Sequence, residues 1–276
     1  MKRIYLLVAV CLLATAAWGC GKGSSAESRK ADLETEVLPL LDDSIRAMSE
    51  LRGYRMKGSM EMSAGSGDAS GSGTLRMEIR SEVENTDGRA NQYIHMEMGG
   101  LATEAYIYGD YFYQEVPGQG WTKSSLAQYQ VQNLSTGVIS EEQMRLIAET
   151  VEEAIVRDKG EDGKEMVLLL GKEFLLRSLE RFREEAGEAA KGQMEQWMSA
   201  MEEAAEGFSA TLRLLVGKGD HLIREMEMTI EMKDVPQLGT YRSTMHMEAY
   251  DYDAQIHIEL PPEAEKAALS GAGSER

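Results

Sequence analysis

Methionine pairs separated by one residue are the most distinctive chemical feature of the sequence. The pattern occurs as Met-Glu-Met at residues 60–62, 96–98 and 226–228, and as Met-His-Met at residues 245–247. Thioethers are soft ligands suited to Cu(I), so these pairs could bind a metal ion. Methionine is also flexible and polarizable, so the same residues could form a surface that adapts to apolar ligands. The sequence therefore raises a metal-binding and a lipid-binding hypothesis for the same side chains.

Other residue types give little support for catalysis. The four histidines occur singly, without the His-x-x-x-His or His-Glu-x-x-His spacing of a metal site: His95, His221, His246 and His257. The Gly-rich stretch at residues 65–73 lacks the Gly-Lys-Ser/Thr ending of a phosphate-binding loop. Ser135 and Ser140 have no nucleophile-elbow context. We therefore predict no catalytic residue, no metal site and no cofactor, and a protein that is not an enzyme.

The elements that carry the methionines alternate with a period of two. Between Leu222 and Met232, Met226, Met228 and Ile230 alternate with glutamate or threonine, which predicts a strand with one apolar face. In a strand, both methionines of a Met-x-Met pair point to the same side, so alternation alone produces the motif. This favours an apolar wall over a copper site.

The apolar positions of these strands form the predicted ligand-binding wall. Its residues are Met60, Met62, Leu75, Met77, Ile79, Ile94, Met96, Met98, Met226, Met228, Ile230, Met232, Met245 and Met247. The alternative is that the same side chains simply pack against a helix, since apolar faces are usually core.

Three helical segments are predicted from apolar residues at three- or four-residue spacing. The first covers residues 32–51, where Pro39 either divides the helix or marks its start. The second starts at Ser140 and has Val151 and Ile155 on its apolar face. The third covers residues 172–206, with Gly187 and Gly192 weakening it. The third segment supplies a predicted helical lid over the ligand: Leu175, Leu179, Phe182, Trp197 and Met201.

The N-terminus predicts export and lipid anchoring. Lys2 and Arg3 precede a short apolar run, and Ala17-Trp18-Gly19-Cys20 resembles a bacterial lipobox, which would make Cys20 the lipidated residue. Acyl chains on Cys20 would hold the protein at the outer face of the cytoplasmic membrane, in a Gram-positive type of envelope. The predicted divisions are a signal peptide at 1–19, the lipidated cysteine and a flexible tether at 20–32, one domain at 33–266 and a polar tail at 267–276.

Charge and cysteine usage limit the possible partners. The formal net charge is −18, which excludes nucleic acid as a partner because phosphate binding needs a basic surface. The two cysteines, Cys11 and Cys20, lie in the signal peptide and at the lipidation site, so the exported domain contains no disulfide. We expect a monomer whose partners are the membrane, through Cys20, and a hydrophobic small molecule or lipid.

An aromatic hairpin carries a family resemblance. Residues 106–123 read Y-I-Y-G-D-Y-F-Y-Q-E-V-P-G-Q-G-W-T-K, and the domain ends in Ile256-His257-Ile258-Glu259-Leu260-Pro261. This run resembles the tyrosine, Gly-Asp turn, Pro-Gly and Trp-x-Lys hairpin of Gram-positive lipoproteins with the LolA-like, or LppX/LprG-like, lipoprotein-carrier fold. The tyrosines could form a rim for a ligand or for membrane head groups, or could stabilise the hairpin through cross-strand pairs.

The resemblance implies an α+β fold in which a strongly curved antiparallel sheet, a half-barrel of about ten strands, packs helices on its concave face. It also implies non-catalytic binding of a lipid or acyl chain between the sheet and the helices. Two alternatives remain: a cavity-less interaction or sensor module with the same fold, and Cu(I) binding through the Met-x-Met strands.

Overall fold

One open antiparallel sheet dominates the computed structural model, which describes residues 29–65, 73–86, 89–125, 141–185, 198–235 and 239–268. Its strands are β1 (Arg29–Lys30), β2 (Gly53–Gly65), β3 (Gly73–Thr86), β4 (Arg89–Met98), β5 (Leu101–Tyr108), β6 (Tyr111–Val116), β7 (Gly120–Ser125), β8 (Val151–Asp158), β9 (Lys164–Leu170), β10 (Phe208–Val216), β11 (Ile223–Val235) and β12 (Gly239–Tyr250). They lie in the order β1-β8-β9-β10-β11-β12-β2-β3-β4-β5-β6-β7. The predicted α+β class with a curved, half-barrel-like antiparallel sheet is confirmed.

Helices connect and cover parts of this sheet. A π-helical turn (Leu33–Val37) leads into α1 (Leu38–Glu50), and α2 (Glu141–Thr150), α3 (Lys172–Glu185), a helical segment at 198–203, a 3₁₀ turn (Ala204–Gly207) and α4 (Pro262–Glu265) follow. The Asp32 carboxylate accepts a hydrogen bond from the Thr35 N–H at 2.9 Å and caps the first turn. Pro39 lies in the first turn of α1, where its missing N–H costs nothing, so it marks the start of this helix.

The helix predicted from Ser140 is shorter than the sequence pattern indicated. It ends at Thr150, and Val151 and Ile155 belong to β8 instead. Ala154 of β8 pairs with Leu168 of β9, and this long-range pairing decides a stretch whose apolar spacing fits both periods. The predicted segment at 172–206 is helical at both ends, while residues 186–197, with Gly187 and Gly192, lie outside the described residues.

The main core lies between the helices and one face of the sheet, which we call the inner face. Leu212 and Leu214 of β10 are fully buried there together with Phe174 and Leu175 of α3. Helix α2 packs beside α3 and also contacts α1, and α3 contacts β10. The helices therefore pack on the inner face, with α3 over β10.

The C-terminal segment crosses the opposite, outer face. After β12, Asp251 and Asp253 adopt left-handed backbone conformations with φ of 50° and 60°, which redirect the chain. Residues 254–265, the C-terminal strap, then form a second apolar cluster in which Ile256 and Ile258 pack with Tyr106 and Tyr113. The sheet thus carries a second apolar cluster on the outer face of its β4 to β7 end, in addition to the inner core.

The methionine-rich inner face as candidate functional site

Strand register collects the methionines into two neighbouring rows on the inner face, because directly paired residues of antiparallel strands share a face. The first row is Leu168, Leu212, Met228, Met245, Met60, Met77, Met98 and Leu101. The second row is Met166, Leu214, Met226, Met247, Gly58, Ile79, Met96 and Thr103. We call the two rows the methionine band. It runs from β9 to β5, across most of the sheet.

Burial along the band changes from one end to the other. All fourteen residues of the predicted wall lie on the inner face, and ten of them are buried, with 1–6% of their surface exposed. The other four are half-buried: Leu75, Met77, Met96 and Met98. Next to them, Leu101 is 65% exposed. These five residues form the open end of the inner face. Their role in ligand binding stays a prediction.

The predicted lid residues that the structure describes belong to the same core. Leu175, Leu179 and Met201 are buried with 0–4% exposure. The Phe182 side chain and Trp197 lie outside the described residues, as does Cys20, the predicted lipidation site. The three described residues share one core with the wall, and their role as a lid stays a prediction.

Close packing in the middle of the band involves Gly58. A Cβ atom at Gly58 would lie 1.9 Å from the His246 carbonyl oxygen and 2.5 Å from the Met247 sulfur. The thioether of Met247 therefore occupies the space that a side chain at residue 58 would need. This is the gap-filling behaviour expected of methionine.

The copper hypothesis concerns methionine pairs that the structure brings together on neighbouring strands. Met226 lies opposite Met247, and Met228 lies opposite Met245, so four thioethers meet on two adjacent strands. All four are buried among apolar residues. Among the described residues, no group of three or more His, Cys, Asp or Glu side chains is arranged to hold a metal ion.

Polar side chains appear on the inner face toward β7. Ser81, Gln92, Thr103, Gln114 and Thr122 all share a face with apolar wall residues through their strand pairings. Gln92 and Ser81 are both 2% exposed, and the Gln92 Nε2 donates a hydrogen bond to the Ser81 Oγ at 2.7 Å. The Gln92 Oε1 has no hydrogen-bond partner. The sequence interpretation missed this pair, although Gln92 and Ser81 stand in phase with Ile94 and Ile79.

The helical layer contains a solvent-open cleft between α1 and α2. Its volume is about 300 Å³, the lower end of the range for ligand pockets. The cleft is lined by Leu38, Leu41, Asp42, Ile45, Arg46, Ser49, Arg145 and Ala148. Since Leu41 also belongs to the main core, the cleft reaches that core from the helix side.

The aromatic hairpin packs on the outer face, away from the methionine band. The Tyr106 ring centroid lies 5.1 Å from that of Tyr93 and 5.6 Å from that of Trp121. Burial and a hydrogen bond from its hydroxyl to Glu104 raise the pKa of Tyr93. The strap covers this cluster, so these rings stabilise the hairpin and do not line the inner face.

A charged latch fastens the strap to the sheet. Glu84 of β3 accepts a hydrogen bond from the Ile258 N–H at 3.3 Å, and its other oxygen lies 3.2 Å from the His257 Nδ1. Hydrogen bonds to Glu84 and Glu259 raise the pKa of His257. Burial alone would raise the pKa of Glu84, but hydrogen bonds from His257, the Ile258 N–H and Asn91 outweigh it and lower that pKa.

The other end of the sheet has a charged outer face. The Glu165 side chain is 9% exposed and lies 2.9 Å from Arg157, 3.2 Å from Lys159 and 3.7 Å from Arg213. Burial alone would raise the pKa of Glu165, but hydrogen bonds from Arg157 and Lys159 and the nearby positive charges lower it. This end is therefore held by ion pairs outside and by apolar packing inside.

Sequence comparison assigns the chain to a family. Residues 36–269 match the sequence model of the "Family of unknown function (DUF6612)". The chain belongs to this family. No curated protein matches its sequence.

Three solved structures are similar to the chain in fold. Lipoprotein LppX of Mycobacterium tuberculosis has a TM-score of 0.38 and 9% identity, with 81% of this chain and 100% of LppX covered. A DUF1329 family protein of Desulfovibrio piger has a TM-score of 0.30 and 8% identity, with 81% and 95% covered. A LolA superfamily protein of Nitrosomonas europaea has a TM-score of 0.30 and 10% identity, with 81% and 94% covered. LppX and LolA are also named in the resemblance stated for the aromatic hairpin.

In the part of the chain that the structure describes, no helix combines the length and the apolar character needed to span a bilayer.

Proposed function

We propose that the protein is a membrane-anchored, extracytoplasmic lipoprotein that binds a hydrophobic ligand between sheet and helices without catalysis. The ligand class is a lipid or an acyl chain. One observation carries the proposal: the methionine band continues from the buried core to an end where Met77, Met98 and Leu101 are partly exposed. An apolar surface that runs from core to solvent gives an apolar chain a continuous path.

Packing on the outer face helps to hold the strands of the open end in the sheet. Strands β4 to β7 gain apolar packing on that face from the strap, through Ile256 and Ile258 on Tyr106 and Tyr113. This packing adds to that of Ile94 and Phe112 in the inner core, so the half-buried Met98 is not the main support of this end. Covering the open end with a ligand would contribute about 25 cal/mol per Å² of apolar surface removed from water.

The buried part of the wall requires movement before it can accept a ligand. Met226, Met228 and Met245 are 5–6% exposed, so protein atoms already cover them. A ligand entering from the open end must displace the side chains that cover them. Methionine side chains change rotamer readily, so they can pack against either a helix or an acyl chain.

Binding of a fluorescent fatty acid tests this proposal. Met98→Lys places a charge at the half-buried open end and is expected to weaken binding at least tenfold, because the ligand would have to desolvate the ammonium group. Glu97→Lys is the matched control, since it puts the same side chain on the opposite face of the same strand. Equal affinity of the two variants, or no binding by the native protein, would contradict the proposal.

The membrane anchor is tested separately through Cys20. Replacing Cys20 with serine removes the thiol that carries the lipid, so the protein is expected to move from the membrane fraction to the soluble exported fraction. Continued tight membrane association of Cys20→Ser would refute lipidation at this residue. The ligand-binding proposal does not depend on that result.

The cavity-less interaction or sensor module is supported by one observation, the 1–6% exposure of ten wall residues. It requires that no lipid co-purifies with the protein and that no fatty acid binds. Copper binding has a further signature: Cu(I) affinity would fall in the double variant Met226→Leu/Met228→Leu, while lipid binding would persist because leucine preserves the apolar wall.

A further inference from the structure

Ser81 of β3 and Gln92 of β4 form a buried polar defect on the inner face. Both side chains are 2% exposed. Gln92 pairs with Val83 and Ile107, and Ser81 pairs with Met56 and Ile94, so their paired neighbours on the face are apolar. The Gln92 Nε2 is satisfied by the Ser81 Oγ, while the Gln92 Oε1 has no partner. A buried polar atom without a hydrogen bond costs free energy, so it needs an explanation.

A trapped water would explain the defect poorly. A buried water is stable when it makes two to four hydrogen bonds to polar groups. The residues paired with Gln92 offer side chains of valine and isoleucine, which make none. A donor that arrives on an otherwise apolar molecule fits this environment better than water does.

The defect lies on the same face as the methionine band. On this face, β5 to β7 carry Thr103, Gln114 and Thr122 beside the buried Ala105 and Phe112, whereas β2, β12 and β11 present Met60, Met245 and Met228. Neighbouring strands are about 4.8 Å apart, so the distance from β4 over β3 and β2 to β12 is about 14 Å. One leaflet of a bilayer core is about 15 Å thick, which is the length of one acyl chain.

We propose that the Ser81–Gln92 pair binds a hydroxyl group of the hydrophobic ligand, with the apolar chain lying across β3, β2 and β12 on the methionine band. This inference rests on the proposed function and specifies its ligand class as a hydroxyl-bearing lipid. The hydroxyl donates to the Gln92 Oε1.

Two probes of nearly equal size test the inference. 1-Decanol and decyl methyl ether share the same chain, but the ether has no donor. Each is titrated against the full exported domain carrying a bound fluorescent fatty acid, and displacement is measured. The native protein is expected to bind the alcohol about tenfold more tightly, the equivalent of one hydrogen bond to a buried acceptor.

Replacement of Gln92 locates the effect. Gln92→Leu is expected to abolish the preference while the ether binds as it does to the native protein. Gln114→Leu is the control, because it makes the same substitution on the same face and is expected to keep the preference. Gln92→Met, which preserves the side-chain length, is the second variant if Gln92→Leu does not fold.

The outcomes separate this inference from the proposed function. Equal affinity of the native protein for alcohol and ether overturns the hydroxyl site and leaves lipid binding intact. A preference that survives in Gln92→Leu also overturns it. Failure of both probes and of the fluorescent fatty acid to bind overturns the proposed function together with this inference.

Discussion

The two ends of the sheet differ in their outer faces. At β8 to β10 the inner face is packed under helices, and the outer face carries Glu165 with its cluster of cations. At β4 to β7 the strap covers Tyr106 and Tyr113 on the outer face. The inner face of these strands contains the buried core residues Ile94 and Phe112 beside the partly exposed Met98 and Leu101. The end that carries the strap is thus also the end where the inner face is partly exposed.

We infer that this difference separates residues that stabilise the fold from residues that bind a ligand. A tightly packed inner face cannot easily exchange the atoms that cover it. At the β4 to β7 end, the strap adds packing on the outer face, and the inner face carries the half-buried Met96 and Met98, which we propose for ligand binding.

Replacement of Gly58 is expected to have the largest effect. Gly58→Ala would force the His246 carbonyl and the Met247 side chain to move in the tightly packed part of the band. We expect a loss of about 3 kcal/mol in the free energy of unfolding, measured by urea denaturation. Gly219→Ala is the control, because nothing lies within 4 Å of the added Cβ, and it should be nearly neutral. A tolerated Gly58→Ala would show that the middle of the band packs loosely.

The strap and the open end should differ strongly in their contribution to stability. Ile258 is 3% exposed, so Ile258→Ala is expected to cost about 2–3 kcal/mol. Met98 is half-buried, and Met98→Ala is expected to cost less than about 1 kcal/mol. Thermal unfolding of both variants checks the comparison. Equal losses would mean that the open end supports the fold as much as the strap does.

The ion cluster at the other end is expected to give a smaller, pH-dependent effect. Glu165→Gln leaves three cations without their carboxylate and should cost about 2 kcal/mol at pH 7. The folded pKa of Glu165 lies below the unfolded value of about 4.3, so the carboxylate stabilises the fold above that pH. The stabilisation is lost as the pH falls through the folded pKa. Denaturation curves of the two proteins should therefore converge in acid, and a constant difference would contradict this role.

The latch at His257 is expected to give the smallest effect. Its folded pKa is raised above the unfolded value of about 6.5, so its stabilisation is complete below that pH and is lost as the pH rises through the folded pKa. Trp121 packs in the strap cluster, so its fluorescence reports strap docking. The Trp121 fluorescence should change slightly as the pH rises through the folded pKa of His257. His257→Gln should remove this change. Persistence of the change in that variant would assign it to another group.

Local patterns predicted much of the sheet. The alternation between Leu222 and Met232 predicted a strand, which the structure contains as β11. The phase of Met60, Met77, Met228 and Met245 correctly predicted that they share a face, because side chains in strands alternate with a fixed period. Val151 and Ile155 were predicted on the apolar face of a helix because both periods fit them, and pairing with β9 decides the outcome.

The apolar cluster between the strap and the aromatic hairpin could not be predicted from local patterns. Tyr106 and Ile258 are far apart in sequence, and no periodicity links them, although both belong to the strap cluster. The same holds for the Ser81–Gln92 pair, whose polar residues interrupt apolar phases on two different strands. Long-range placement, not strand propensity, creates both features.

Hydrogen exchange with and without a bound fatty acid tests the central claim most directly. If the ligand binds at the open inner end, amides of β3, β4 and β5 and of the covering helices should change their protection, while the strap at residues 254–265 should not. Changes confined to the strap and its aromatic cluster, or no change in β3 to β5 at saturating ligand, would contradict the account.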